Sequence, residues 1–156
     1  MIRIWRLCRA RHAADPLSGE GARLFGGRWN AKGTRMVYCS GTQSLACMEA
    51  LVHLDLRDLP RDYQVVGIDI PEGLVIKRMT SADLPTDWRQ IPGPESLKEL
   101  GTAWAATGAQ VILVVPSAVI PEESNYLINP DHPDVKQLRV LPALPFRFDQ
   151  RLGGGK

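Results

Sequence analysis

Gly26-Gly27-Arg28-Trp29-Asn30, Tyr38, Glu49 and Ser117 are the residues of this chain best suited to chemistry. Glycines let a backbone come close to a ligand, and an arginine on such a turn offers a rigid fork of donors to phosphate or carboxylate. Glu49 falls within an apolar helical pattern, four residues after Leu45. A carboxylate turned toward an apolar interior needs a partner, and Arg28 is the one the sequence suggests. The two are either a functional pair or a structural ion pair pinning a loop to a helix. Ser117 follows Pro116 at the end of the aliphatic run Val111 to Val115. A strand end fixes a side chain while the adjoining loop leaves access for substrate; a cap is the plainer role. Tyr38 offers a ring and a hydroxyl, or is an inward aromatic with its hydroxyl satisfied. His53 and His132 are read as structural. Ser117 is not read as a nucleophile, since it lacks the flanking glycines of a nucleophile elbow and no Asp-His pair is evident.

These residues need elements to hold them. Ile2 to Leu7 alternates apolar and polar side chains as a strand does, and Arg11 to Gly27 reads as loop or irregular turn delivering Arg28. Arg35 to Ser40 reads as a short strand carrying Tyr38. Thr42 is a suitable N-cap for a helix from Gln43 to Leu56, with Leu45, Met48, Val52 and Leu56 as its apolar stripe and Glu49 on or beside it. Tyr63 to Ile70 and Leu74 to Met79 read as strands, and Pro71-Glu72-Gly73 between them is a turn that could join antiparallel neighbours. Ser81 to Pro94 reads as loop, and Glu95 to Ala106 as a second helix closed by Gly108. Val111 to Val115 suggests a strand buried on both faces; Asn125 to Ile128 and Val135 to Leu141 read as further strands. The sum is a single α+β domain, residues 1–150, built on a mixed or antiparallel sheet with a few helices, followed by a disordered tail over residues 151–156.

Composition narrows the function. The 156 residues suit one domain with a real core. A formal charge of +2 is too small to argue for nucleic acid. Arg3, Arg6, Arg9 and Arg11 form one basic cluster, but they alternate with Ile2, Ile4 and Leu7 like a solvated strand edge. Cys8, Cys39 and Cys47 are odd in number and lack metal-ligand spacing, which suggests buried free thiols in a reducing compartment. The start carries no charged and apolar leader pattern and no run long enough to span a bilayer, so the expected location is the cytoplasm.

Taken together, several pieces of the chain resemble the RES-domain toxins of bacterial toxin–antitoxin pairs. They are Gly26-Gly27-Arg28-Trp29-Asn30, Tyr38 with Ser40, Ala46 with Glu49 and Ala50, Val115-Pro116-Ser117-Ala118-Val119, and Asn125-Tyr126-Leu127 with Asn129-Pro130 and His132-Pro133. The resemblance implies a fold similar to the diphtheria-toxin-like ADP-ribosyltransferases. It implies NAD as substrate, with no cofactor or metal required and phosphate as a candidate co-substrate. It also implies a cognate Xre-like helix-turn-helix antitoxin that blocks the active site, through which alone nucleic acid would be contacted. Carried over by motif, the family's Arg falls on Arg28, its Tyr on Tyr38, its Glu on Glu49 and its Ser on Ser117, with Ser124 a nearby rival for the last.

The chemistry implied is cleavage of the nicotinamide–ribose bond through an oxocarbenium-like transition state. Arg28 would bind pyrophosphate, Tyr38 and Ser117 would place the substrate, and Glu49 would stabilise the ribosyl cation. Hydrolysis, phosphorolysis and transfer to a protein side chain all remain open. From a different class, a non-catalytic partner-binding module would use the same Arg and Glu to hold a loop.

Overall fold

A computed structural model describes residues 1–154. Its strands are β1 (Ile2–Arg9), β2 (Val37–Ser40), β3 (Tyr63–Ile70), β4 (Ile76–Arg78), β5 (Ile112–Pro116), β6 (Ser124–Ile128), β7 (Arg139–Val140) and β8 (Leu144–Phe146). The helices are α1 (Ala10–Ala13), α2 (Glu20–Phe25), α3 (Gln43–Leu51) and α4 (Glu95–Thr107). The strands form one mixed sheet in the order β4-β5-β6-β2-β1-β3-β7, with β8 also paired to β3. Only β4 and β5 run parallel among these pairings. This is the α+β sheet domain expected from the sequence.

Strand periodicity divides the core into two layers. Val37, Cys39, Ile112, Val114, Tyr126 and Ile128 pack on one face with Ile4, Val66 and Ile68. Leu113, Val115 and Leu127 pack on the other with Met36, Trp29, Leu97 and Trp104, and Tyr38 lies against them. Ile112 to Val115 are all buried, so the reading of a strand covered on both faces holds. Helix α4 also holds, and it ends on Gly108 at φ +61°, a conformation that suits glycine.

Several expectations are corrected. The segment after Pro71-Glu72-Gly73 does not return beside β3: β4 pairs in parallel with β5, Ile76 opposite Ile112, near the other end of the sheet. The edges of β3 are taken by β1 on one side and by β7 and β8 on the other. Residues Pro133–Gln137 form a 3-10 turn rather than strand, because His132 caps it through Nδ1 and Pro133 begins it. Helix α3 stops at Leu51, and Met48, Val52 and Leu56 are exposed, so the expected stripe fails beyond Leu45. Its inward face is instead Leu45 and Ala46, continued one turn later by the half-buried Glu49 and Ala50. The stretch from Arg11 to Gly27 contains most of α1 and all of α2. Strand β1 is no edge: it lies between β2 and β3, and Arg3 and Arg9 form ion pairs with Asp69 and Asp62. The expected tail begins with a 3-10 turn, Gln150–Gly153, because Asp149 accepts from the Arg151 amide and pairs with its guanidinium. Residues 155 and 156 of that tail lie outside the described residues.

Candidate active site

The site forms where the sheet opens. Strand β1 pairs with β3 over its whole length but meets β2 at a single register point, Trp5 opposite Ser40. Past that point the strands part, and Arg6 Nη1 donates to the Tyr38 carbonyl at 3.3 Å across the gap. Arg28, Tyr38 and Glu49 all line the cleft here, about 1070 Å³ in volume. Pockets for small ligands run from about 300 to 1,000 Å³, so there is room for a dinucleotide.

The glycine-rich turn is held firmly. Gly27 N–H donates to the Asn30 carbonyl, closing a tight turn around Arg28 and Trp29. Asn30 is fully buried, and its amide donates to the carbonyls of Ala22, Ala31 and Thr34. Its Oδ1 accepts from the Tyr38 hydroxyl at 2.6 Å, and that hydroxyl accepts from Trp29 N–H at 3.1 Å. A Cβ on Gly27 would sit 2.6 Å from the Tyr38 hydroxyl, so only glycine leaves space for this contact. Burial pushes the Tyr38 phenol well above its usual value, keeping it a donor.

Arg28 projects from this turn. Its Nη1 donates to the carbonyls of Trp88 and Gln90 at 3.0 and 3.1 Å, while Nε and Nη2 have no partner among the described residues. Glu49 is not its partner, which corrects the expected ion pair. Glu49 Oε1 instead accepts from Ser117 Oγ at 2.7 Å and from Asn125 Nδ2 at 2.6 Å. Asn125 Oδ1 accepts in turn from Ser40 Oγ at 2.8 Å.

Register explains this meeting. Asn125 of β6 lies opposite Ser40 of β2 and Val115 of β5, so Ser40, Asn125 and Ser117 continue the same sheet face as Tyr38, Leu127 and Val115. Thr42 caps α3 through the Leu45 amide, and this start angle lowers Glu49 onto that face.

The structure brings the four expected residues into one neighbourhood but changes two tasks. Ser117 is completely buried; its hydroxyl hydrogen goes to Glu49 and its oxygen accepts from the amides of Val119 and Ile120. Buried and fully bonded, it does not face the cleft, and its contact with the cleft runs by way of Glu49. The Tyr38 hydroxyl is likewise committed, donating to Asn30 and accepting from Trp29, while the residue lines the cleft. Ser124 sits opposite Pro116, and among the described residues the donors to Glu49 are Ser117 and Asn125, not Ser124. His132 caps a turn as a structural residue, whereas His53 lines the cleft.

Arg6, Ser40 and Asn125 were given no site role from sequence. Asn125 and Ser40 are polar side chains on the face of a strand otherwise packed with apolar groups, a signal visible only once register is known. Arg6 resembled a solvated charge, yet its Nε is buried without a partner among the described residues, and the side chain lines the cleft.

The sheet opening and its carboxylate-bearing helix define an α+β domain with a nucleotide-sized cleft. The RES domain model matches residues 3–149, and the chain belongs to that family. It is 38% identical over 152 residues to the "Prs ADP-ribosylating toxin" of Sphingobium sp. (strain YBL2), covering 95% of this chain and 94% of that protein. It is 34% identical to a "Toxin Res" of Yersinia enterocolitica, over 96% of this chain and 98% of the relative. In fold it is similar to a chain of the crystal structure of the M. tuberculosis MbcT-MbcA toxin-antitoxin complex, with a TM-score of 0.72, 22% identity, and coverage of 93% of this chain and 84% of that one.

Proposed function

We propose that this protein is the toxin of a toxin–antitoxin pair and that it consumes NAD in the cytoplasm by cleaving the nicotinamide–ribose bond, with water or phosphate as acceptor. The observation that carries this reading is Glu49: a carboxylate with one oxygen fixed by two donors, in a cleft that Arg28 and Arg6 also line. As the bond breaks, nicotinamide leaves with the electron pair and becomes neutral, and positive charge grows on the ribose. Glu49 stabilises that charge or grips a ribose hydroxyl; one preorganised group of this kind is worth about 3–4 kcal/mol by analogy with an oxyanion-hole donor. The acceptor oxygen then bonds the anomeric carbon and its proton passes to solvent. Arg28 keeps Nε and Nη2 for the pyrophosphate, Arg6 adds a second cation, and the Tyr38 ring flanks the nicotinamide. The reaction so drawn calls for no metal or further cofactor.

The partner in this reading is an Xre-like helix-turn-helix antitoxin that covers the cleft and supplies whatever nucleic-acid contact the pair makes. Phe25 and Ile91 support it: they line the cleft yet are 79% and 88% exposed, an apolar rim suited to a protein cover. A second reading is transfer of ADP-ribose to a protein, which the printed name of the Sphingobium relative favours.

The test is expression of the chain alone in bacteria, with growth and cellular NAD followed together. Arrest with a fall in NAD, both abolished by Glu49→Ala and by co-expressed antitoxin, is the expected result. Arrest with NAD intact and ADP-ribose found on a protein would favour the second reading. Arrest that survives Glu49→Ala would mean a non-catalytic binding module.

A further inference from the structure

We propose that Asn125, backed by Ser40, is a positioning residue that divides the two oxygens of Glu49, leaving Oε2 as the one that meets the substrate. This deepens the reading of Glu49 as the group that stabilises the ribosyl cation and rests on it.

The geometry is asymmetric. Both Asn125 Nδ2 and Ser117 Oγ donate to Oε1, at 2.6 and 2.7 Å, while Oε2 accepts no hydrogen bond among the described residues. A carboxylate oxygen has about two lone-pair sites, so Oε1 is filled and Oε2 is not. The direction of the amide is fixed chemically. A carboxylate can only accept, so the Asn125 NH2 must face Glu49, and Oδ1 is turned to the Ser40 hydroxyl, which donates to it at 2.8 Å.

Backbone placement makes the arrangement stiff. Asn125 is paired on both sides, with Ser40 in β2 and with Val115 in β5, so its side chain leaves a strand interior and not a loop. Ser117 Oγ is itself held by the amides of Val119 and Ile120. Two donors from two rigid points therefore set the rotation of the carboxylate about its last bond. Without Asn125 the carboxylate keeps one donor and turns about it, and the productive direction of Oε2 becomes one of several.

The test compares the purified full chain with Asn125→Ala, Asn125→Asp and Ser40→Ala, measuring kcat and KM for nicotinamide release from pH 5 to pH 8. Asn125→Ala should lower kcat by about 10- to 100-fold, by analogy with residues that orient metal ligands, and leave KM almost unchanged. Asn125→Asp sets two carboxyl groups against each other; near neutral pH it should be worse than Asn125→Ala. Toward pH 5 the new carboxyl takes up a proton that it can donate to Oε1, so its activity relative to Asn125→Ala should rise. A purely structural role predicts no such crossover. The second readout is the Asn125 side-chain amide by 1H–15N NMR. One amide proton should lie downfield and slow to exchange, and it should move in Glu49→Ala but not in Ser124→Ala. Should Asn125→Ala fail to fold, Ser40→Ala carries the test, with a smaller fall in kcat and a displaced amide signal. Wild-type kcat in Asn125→Ala, or an amide signal indifferent to Glu49→Ala, overturns the inference. A wild type that releases no nicotinamide would count against the NAD reading instead, and the amide signal alone would then decide whether Asn125 holds Glu49.

Discussion

The Ser117 hydroxyl makes three hydrogen bonds, and none is left for a ligand. A serine with no hydrogen bond left for a ligand still matters if its one proton sets the direction of a carboxylate. Removing it leaves the Glu49 oxygen short of a donor and leaves two amides facing a methyl group, at a cost of about 1–3 kcal/mol for each buried group unsatisfied. Ser117→Ala should therefore lose both activity and thermal stability, whereas Ser124→Ala should change neither. Assay of nicotinamide release beside thermal melts checks the pair, and loss in Ser124→Ala with none in Ser117→Ala would reverse the assignment. At this scale the sequence was informative about residue type and poor about task. Arg28, Tyr38, Glu49 and Ser117 do converge, but the partners of Glu49 are Ser117 and Asn125, not Arg28. Which donor reaches which acceptor depends on strand register, and register is a long-range property that no local spacing carries.

At the scale of elements, α4 packs directly against the glycine-rich turn, Thr102 accepting from the Ala31 amide. A Cβ on Gly101 would fall 1.9 Å from the Trp29 carbonyl oxygen. Alanine is favoured over glycine inside a helix by about 0.5–1 kcal/mol, but overpacking costs about 1–3 kcal/mol. Here the obstacle is backbone, which cannot turn aside, so the cost should win. Gly101→Ala is expected to destabilise the fold and to raise KM by moving Arg28, and a variant as stable and active as wild type would show that the turn is not anchored this way. Helix α4 and the central strands were legible because their patterns are strong, the α4 spacing with Gly108 and the aliphatic run of β5, whereas the short α1 and α2 were read as loop. Strand β4 was legible within Leu74 to Met79, but its place beside β5 was not, because pairing is a long-range property. The turn at Pro133–Gln137 was missed, since a proline-led 3-10 turn shares its composition with strand ends. Helix α3 was found from Thr42, yet its buried face was misjudged because Met48 and Val52 are exposed, Val52 at the cleft.

For the molecule as a whole, strands β1 and β3 are laced by charge as well as by backbone. Arg3 forms a two-point pair with Asp69, directly opposite in register, and that guanidinium holds the buried Asp69 carboxyl below its ordinary range. Asp149, beside Arg151, is pulled down to about 2. A carboxyl whose pKa is lower folded than unfolded contributes stability that is complete above the unfolded value of about 4 and is lost as pH falls through the folded value. Stability should thus be flat from neutral pH to about pH 5 and fall below pH 4, with the acid limb shallower in Asp69→Asn. Urea melts across this range check it, and an unchanged limb in that variant would contradict it. The burial that guards the core also pushes the Cys39 thiol up to about 12, so it should resist thiol reagents until the sheet opens.

The most direct measurement is nicotinamide release from NAD by the purified chain, freed of any partner, beside Glu49→Gln, with and without phosphate. The wild type should release nicotinamide steadily, and Glu49→Gln should lower kcat by about 100- to 1000-fold with KM little altered, the size expected for losing one preorganised charge-stabilising group. Equal release by both proteins would contradict this, because the carboxylate that the whole site is built to hold would then have no part in the reaction.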